Sequence, residues 1–125
     1  MHAQALAYLG DIAWKNNQPD NALHFFERAT QVSHDVRIVY VDLGALYMQQ
    51  KKYKDAQVAL LRAVTLDPAL PDAHYQLGQL YQTLGNTADA ESELRKVREL
   101  HEKEEASGAG KTPSRLPEAT RSDNK

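Results

Sequence analysis

Ser33, His34 and Asp35 supply the three residue types of a hydrolytic triad, and they are the first place to look for chemistry. A triad works because nucleophile, base and orienting acid converge in space with their side chains facing one another. Three adjacent residues in a turn cannot converge in that way. Gly108-Ala109-Gly110-Lys111-Thr112 has the look of the second half of a phosphate-binding loop. The full motif needs a glycine five residues before Gly110, a preceding strand and a following helix. Here that position is Glu105, a charged helical run precedes the segment, and Pro113 follows it. The five histidines, His2, His24, His34, His74 and His101, form no i, i+4 pair, and no cysteine joins them. Without such spacing they do not make a metal site. The missing cysteines also exclude disulfides and thiol nucleophiles. The expected protein is therefore not an enzyme and takes no cofactor or metal.

What the chain does hold is a period. Leu-Gly recurs at Leu9-Gly10, Leu43-Gly44 and Leu77-Gly78, 34 residues apart each time. Ala22, Ala56 and Ala90 follow each glycine in phase, then Phe26, Leu60 and Leu94, then Ala29, Ala63 and Val97. Ala13, Tyr47 and Tyr81 lie just beyond the glycines, and Leu6, Tyr40 and His74 just before them. Three gapless copies result, 3–36, 37–70 and 71–104. Apolar residues recur at helical spacing inside each copy, as at Tyr40, Leu43 and Tyr47 and again at Leu60, Ala63 and Leu66, so each copy is two amphipathic helices. Gly44 and Ala56 are small where those helices would cross. Glycine costs a helix interior about 0.5–1 kcal/mol relative to alanine, so three in register indicate a steric need. Pro68 separates the second copy from the third, and Pro71 suits the first turn of the next helix. Asn16-Asn17 and Gly85-Asn86 mark turns inside the first and third copies. The spacing predicts six helices, near 3–16, 19–32, 36–50, 53–66, 71–84 and 87–104.

This pattern resembles the tetratricopeptide repeat, whose signature reads W-x2-L-G-x2-Y, then A-x3-F, then P. The second copy matches most fully, with Tyr40, Leu43, Gly44, Tyr47, Ala56, Leu60, Ala63 and Pro68. The first has Ala13 for the tyrosine and His34 for the proline; the third has His74 for the tryptophan and Glu102 for the proline. The resemblance implies an all-α fold. Three helix-turn-helix repeats would stack into a right-handed α-α superhelix, a solenoid in which each repeat touches only its neighbours.

The repeats make one domain, 1–105. Residues 106–125 are expected to be a disordered polar tail, since they hold too little apolar surface to offset ordering entropy. Lys111, Arg115, Arg121 and Lys125 face Glu118 and Asp123 there, while the whole chain carries a net charge of -2. An acidic body with a mildly basic tail has no nucleic-acid footprint. No apolar stretch approaches the roughly 20 residues of a membrane span, and Met1 to Gly10 lacks the basic start of a signal peptide. A cytoplasmic location is expected if the chain is complete, and no location follows if it is a fragment. The first helix is apolar nearly all round: Ala3, Ala5, Leu6, Ala7, Tyr8, Leu9, Ile12, Ala13 and Trp14. Such a helix is normally buried, so an upstream repeat or a second molecule is expected to cover it, unless an alanine-rich helix tolerates exposure. The last helix carries Glu91, Glu93, Arg95, Lys96, Arg98 and Glu99, polar enough to face water.

In the tetratricopeptide family the first helix of each repeat lines a concave groove that binds peptides. Carried over position by position, the resemblance implies Asp11 and Trp14 from the first copy. It implies Ile38, Val41, Ala45 and Met48 from the second, with Asp42 expected on the same concave face, and Asp72, Tyr75 and Gln79 from the third. The family's clamp for a chaperone's C-terminal carboxylate uses Lys, Asn, Asn, Lys and Arg; the matching residues here are Ala7, Asp11, Asp42, Asp72 and Gln76. None matches, and three are acidic. The expected partner is thus a protein or peptide segment of apolar and basic character, with neither nucleic acid nor membrane. The alternative is a structural or self-association module, either the C-terminal part of a longer array or a homodimer through the first helix.

Overall fold

Each copy turns back on itself at the same repeat position, where Asn17, Lys51 and Gly85 take positive φ values of 60°, 62° and 82°. The next amide then closes the turn onto a carbonyl five residues earlier: Gln18 to Ala13 at 2.9 Å, Lys52 to Tyr47 at 2.8 Å and Asn86 to Tyr81 at 2.8 Å. This is the Schellman ending of a helix, which satisfies carbonyls that would otherwise lack partners. Glycine enters the left-handed region freely, while a lysine does so at about 1–2 kcal/mol. The turn at Lys51 therefore has no local signal. The repeat frame places it.

The computed structural model describes residues 2–111. Six helices follow one another: α1 (Ala3–Lys15), α2 (Pro19–Val32), α3 (Arg37–Gln49), α4 (Tyr53–Leu66), α5 (Pro71–Leu84) and α6 (Thr87–Lys111). There is no strand among the described residues. Pro19 and Pro71 stand in the first turns of α2 and α5, where the missing N–H leaves nothing unsatisfied. The first five helices lie within about a residue of the predicted bounds. The sixth does not. It runs past the expected boundary at 105, so residues 106–111 belong to the helix and not to a disordered tail. Lys103, Glu104, Glu105 and Ala106 are good helix formers, and Gly108 and Gly110 weaken a helix without breaking its hydrogen bonds. Pro113 is the first residue that cannot continue it. The rest of the expected tail, 112–125, lies outside the described residues.

Each helix packs on its sequence neighbour, and α3 also packs on α5. The core falls into two clusters. One joins Leu6, Ala13, Phe26, Val39 and Leu46; the other joins Val41, Leu60, Ala73, Leu77 and Leu80. Ala22, Phe26, Ala29, Ala56, Leu60 and Ala63 are completely buried, and Leu43, Leu77 and Ala90 nearly so. A Cβ on Gly10 would meet the Phe26 ring at 2.5 Å, and one on Gly78 would meet Leu94 at 2.8 Å. On Gly44 it would overlap Leu60. The side chain nearest each glycine is thus the large residue four beyond the in-register alanine, and at Gly78 the Ala90 carbonyl follows at 3.7 Å. Tyr40, Tyr47, Tyr81 and Leu94 are partly buried around this core, and Pro68 is exposed in the inter-repeat turn. His74 fills the aromatic position as a buried polar residue. Its ring pairs with Glu93 through Nδ1 at 2.7 Å and with the Pro68 carbonyl through Nε2 at 2.9 Å. No helix among the described residues is long and apolar enough to cross a membrane.

Candidate functional site

Asp11, Asp42 and Asp72 come from α1, α3 and α5, the first helices of successive repeats. The stacking of those helices brings the three carboxyls together. Asp42 is held up from its ordinary 3.8 to about 7, first by burial, then by the charge of Asp11 and a hydrogen bond with it, and last by the charge of Asp72. Burial and the neighbouring acids both disfavour the charged form, so Asp42 keeps its proton to a higher pH than an ordinary carboxyl. The sign of the resulting pH effect follows. Between about 4 and 7 the folded chain holds a proton that the unfolded chain has released, so stability falls as pH rises through that window and levels off above it. The melting temperature is expected to be higher at pH 5 than at pH 8, and Asp42→Asn should shrink that difference. An unchanged pH profile in the mutant would show that Asp42 is not the group that holds the proton.

Asp72 is not free to act with the other two. Arg37, at the start of α3, grips it with both terminal nitrogens, Nη1 donating to Oδ2 at 3.3 Å and Nη2 to Oδ1. The Ala73 amide donates to the same carboxylate at 2.7 Å. The Arg37 side chain is only 14% exposed. Sequence reasoning missed Arg37, although a signal existed: it opens the second copy, and Asp72 stands one repeat and one residue later. Asp11 and Asp42, by contrast, form no ion pair among the described residues. Beside them, Asp11, Trp14 and Lys15 line a recess of about 310 Å³.

The apolar candidates divide. Ile38 and Tyr75 are 49% and 50% exposed, and Gln79 donates to the Tyr75 hydroxyl at 3.4 Å from the next turn of α5. Ala45 is half-buried on α3. Val41 is not a groove residue. It is 5% exposed and belongs to the second core cluster with Ala73 and Leu77, because α3 turns that side toward α5. Met48 also packs against that cluster. Trp14 packs against the first cluster, edge-on to Phe26 with ring centroids 6.2 Å apart, and offers the groove only its remaining surface. Repeat position alone could not separate these from Ile38 and Tyr75, since a concave helix face and an inter-helix face differ by one residue's rotation.

The comparisons with known proteins agree with the repeat fold. A tetratricopeptide repeat profile matches residues 3–34 and 71–103, and a TPR repeat profile matches 44–85. The chain is 28% identical over 102 residues to the heat shock protein STI1 of Saccharomyces cerevisiae, covering 81% of this chain but only 17% of that protein. Among solved structures, MamA superposes with a TM-score of 0.81 at 22% identity, covering 84% of this chain and 61% of that one. The second TPR of Spaghetti (RPAP3), bound to the HSP90 peptide SRMEEVD, superposes at 0.76 with 19% identity, covering 80% and 93%. Periodic glycines, three identical turn closures and matching profiles over all three copies lead to one assignment: the chain belongs to the tetratricopeptide repeat family.

Proposed function

We propose that this chain is a non-enzymatic scaffold whose concave groove holds a protein segment mixing Lys or Arg with large apolar side chains. The observation that carries this is the Asp11–Asp42 pair in the groove, with Asp72 already matched by Arg37. The structurally similar Spaghetti domain is bound to SRMEEVD, an acidic peptide. Here acids occupy three of the five clamp positions, and like charges facing each other across an interface cost several kcal/mol. A cation seated between Asp11 and Asp42 would gain what an acidic tail would lose. The half-buried Trp14 forms a wall beside that seat, while the exposed Ile38 and Tyr75 supply apolar anchors of the kind that dominate small interfaces.

The test is a peptide-library screen followed by kinetics of the best hit. Basic-apolar sequences are expected, with affinity on the order of micromolar as for transient contacts of small interfaces. Asp42→Lys should slow association and flatten its salt dependence, whereas Tyr75→Ala should speed dissociation. Selection of acidic peptides, or two mutants that stay folded and bind like wild type, would overturn the groove reading.

A second reading rests on α1. The third, seventh and tenth repeat positions are buried against the preceding repeat in the later copies, at Val39, Leu43 and Leu46 and at Ala73, Leu77 and Leu80. Their counterparts in α1 have no such cover: Ala5 is exposed, Leu9 half-buried and Ile12 39% exposed, with Tyr8 beside them at 67%. That face suits self-association or another repeat. Light scattering across a dilution series separates self-association from a monomeric peptide binder.

A further inference from the structure

A second recess, of about 360 Å³, opens between α2 and α4 with α3 as its floor. It lies on the side of α3 that carries Tyr40, Leu43 and Tyr47, turned away from Ile38, Asp42 and Ala45. Its two ends differ in charge. At one end Tyr47 donates its hydroxyl to Glu27 at 2.7 Å, with Asp55 close by on α4. Asp55 forms no ion pair among the described residues. Burial first, then Glu27, then Asp55 push the Tyr47 phenol well above its ordinary value, so both carboxylates bear on the same spot. At the other end Arg62 lies over the Tyr40 ring, 5.8 Å from its centroid. Its guanidinium donates to the His34 carbonyl at 3.1 Å and approaches Asp35 at 3.7 Å. The side chain is still 40% exposed and keeps donors for a further acceptor.

The spacing of these poles is set by helix geometry. Tyr40 and Tyr47 on α3, and Asp55 and Arg62 on α4, are each seven residues apart, which is two turns or about 10 Å along a helix. Between the poles the floor is apolar, with Leu43 and Ala59. The rim on α4 is apolar and in solvent: Val58 is 66% exposed and Leu61, one turn on, is 43% exposed. Valine and leucine on the outer helix of a repeat gain nothing from water, and side by side next to a recess they form a patch.

We propose that this outer groove docks an amphipathic helix of a partner protein, one that carries a cation and an anion two turns apart with large apolar residues between them. A helix is the occupant that reproduces the spacing, because its residues i, i+3, i+4 and i+7 share one face. Its Lys or Arg pairs with Glu27 and Asp55, its Glu or Asp with Arg62, and its apolar turn covers Val58 and fills the recess over Leu43. The site is independent of the concave groove and shares no side chain with it.

The probe is a fluorescently labelled, alanine-based helical peptide with Lys at i, Leu at i+3 and i+4, and Glu at i+7. Anisotropy titration should give saturable binding, micromolar or weaker as expected for a small interface. Val58→Asp places a charge on an exposed position, leaves the fold intact by circular dichroism, and should weaken binding by about tenfold or more, equivalent to about 1.4 kcal/mol. Arg62→Gln, and separately Glu27→Gln with Asp55→Asn, should each weaken it several-fold. Asp42→Lys, in the concave groove, should leave it unchanged. No saturable binding, equal binding of a peptide with Gln in place of both charges, wild-type binding by Val58→Asp, or loss in Asp42→Lys would each overturn the proposal. Only the last of these would send the peptide to the concave groove.

Discussion

Gly44→Leu is expected to lower the melting temperature by on the order of 10 °C or more. Gly44 is buried on α3 where α4 crosses, and even a lone Cβ there would overlap Leu60. Leu60 is completely buried in the second core cluster, so it cannot swing out into solvent without disturbing its neighbours. The two backbones must separate instead. Overpacking of this kind typically costs 1–3 kcal/mol and sometimes more, and each kcal/mol is worth roughly 4–8 °C in a domain of this size. Gly85→Ala is the control. No atom lies within 4 Å of a Cβ there, so only the positive φ of 82° is strained, at about 1–2 kcal/mol. Thermal melts followed by circular dichroism check both. A Gly44→Leu midpoint equal to wild type would mean that α3 and α4 do not cross at Gly44.

Phe26→Ala should be more damaging still, and it should be felt at the concave groove. The ring is fully buried, sits against Gly10 and supports Trp14 edge-on. Removing a buried phenylalanine costs about 3–5 kcal/mol, a large part of the roughly 5–15 kcal/mol that holds a typical domain together. Trp14 is the chain's one tryptophan, so its emission reports the change without a label. Losing its partner should shift that emission to the red, and it should loosen the wall of the recess beside Asp11. Gly10→Ala is harmful in the wild type, where a methyl meets the ring at 2.5 Å. In the Phe26→Ala background it should become neutral or favourable, because the cavity now accepts the methyl. A double-mutant cycle by urea unfolding reads the sign change. Additive effects would show that Gly10 and Phe26 do not touch.

Much of the fold was legible because a 34-residue period is over-determined. Every helix start, the glycine crossings and two of the three turns could be read from residues that recur in register. Lys51 could not, since lysine is no turn former and only the frame puts it in a left-handed conformation. The end of α6 was misplaced for a different reason. Composition marks where burial stops, but a helix can outlast its buried face when no proline intervenes. The site was less legible than the fold. The approach of Asp11 to Asp42 followed from their repeat positions, yet the proton that Asp42 retains is first a product of burial, which no spacing encodes. Arg37 escaped because its partner lies in another repeat. Val41 was misassigned because α3 has neighbours on both sides, so one of its apolar faces must serve the core.

That double duty of α3 has a dynamic consequence. Val39 and Leu46 belong to one core cluster and Val41 to the other, and Tyr47 packs against both. α4 is shared in the same way, with Ala59 in the first cluster and Ala56, Leu60 and Ala63 in the second, so opening of one end is expected to leave most contacts of the other in place. The groove residues straddle α3, with Asp11 and Trp14 on one side and Asp72 and Tyr75 on the other. A segment bound in the proposed groove would act as a staple. The free energy of its binding would also be free energy against fraying at both ends, reaching α2 and α6, which contribute no residue to the proposed groove. Tightness of grip and quietness of the distant helices are then two views of one equilibrium.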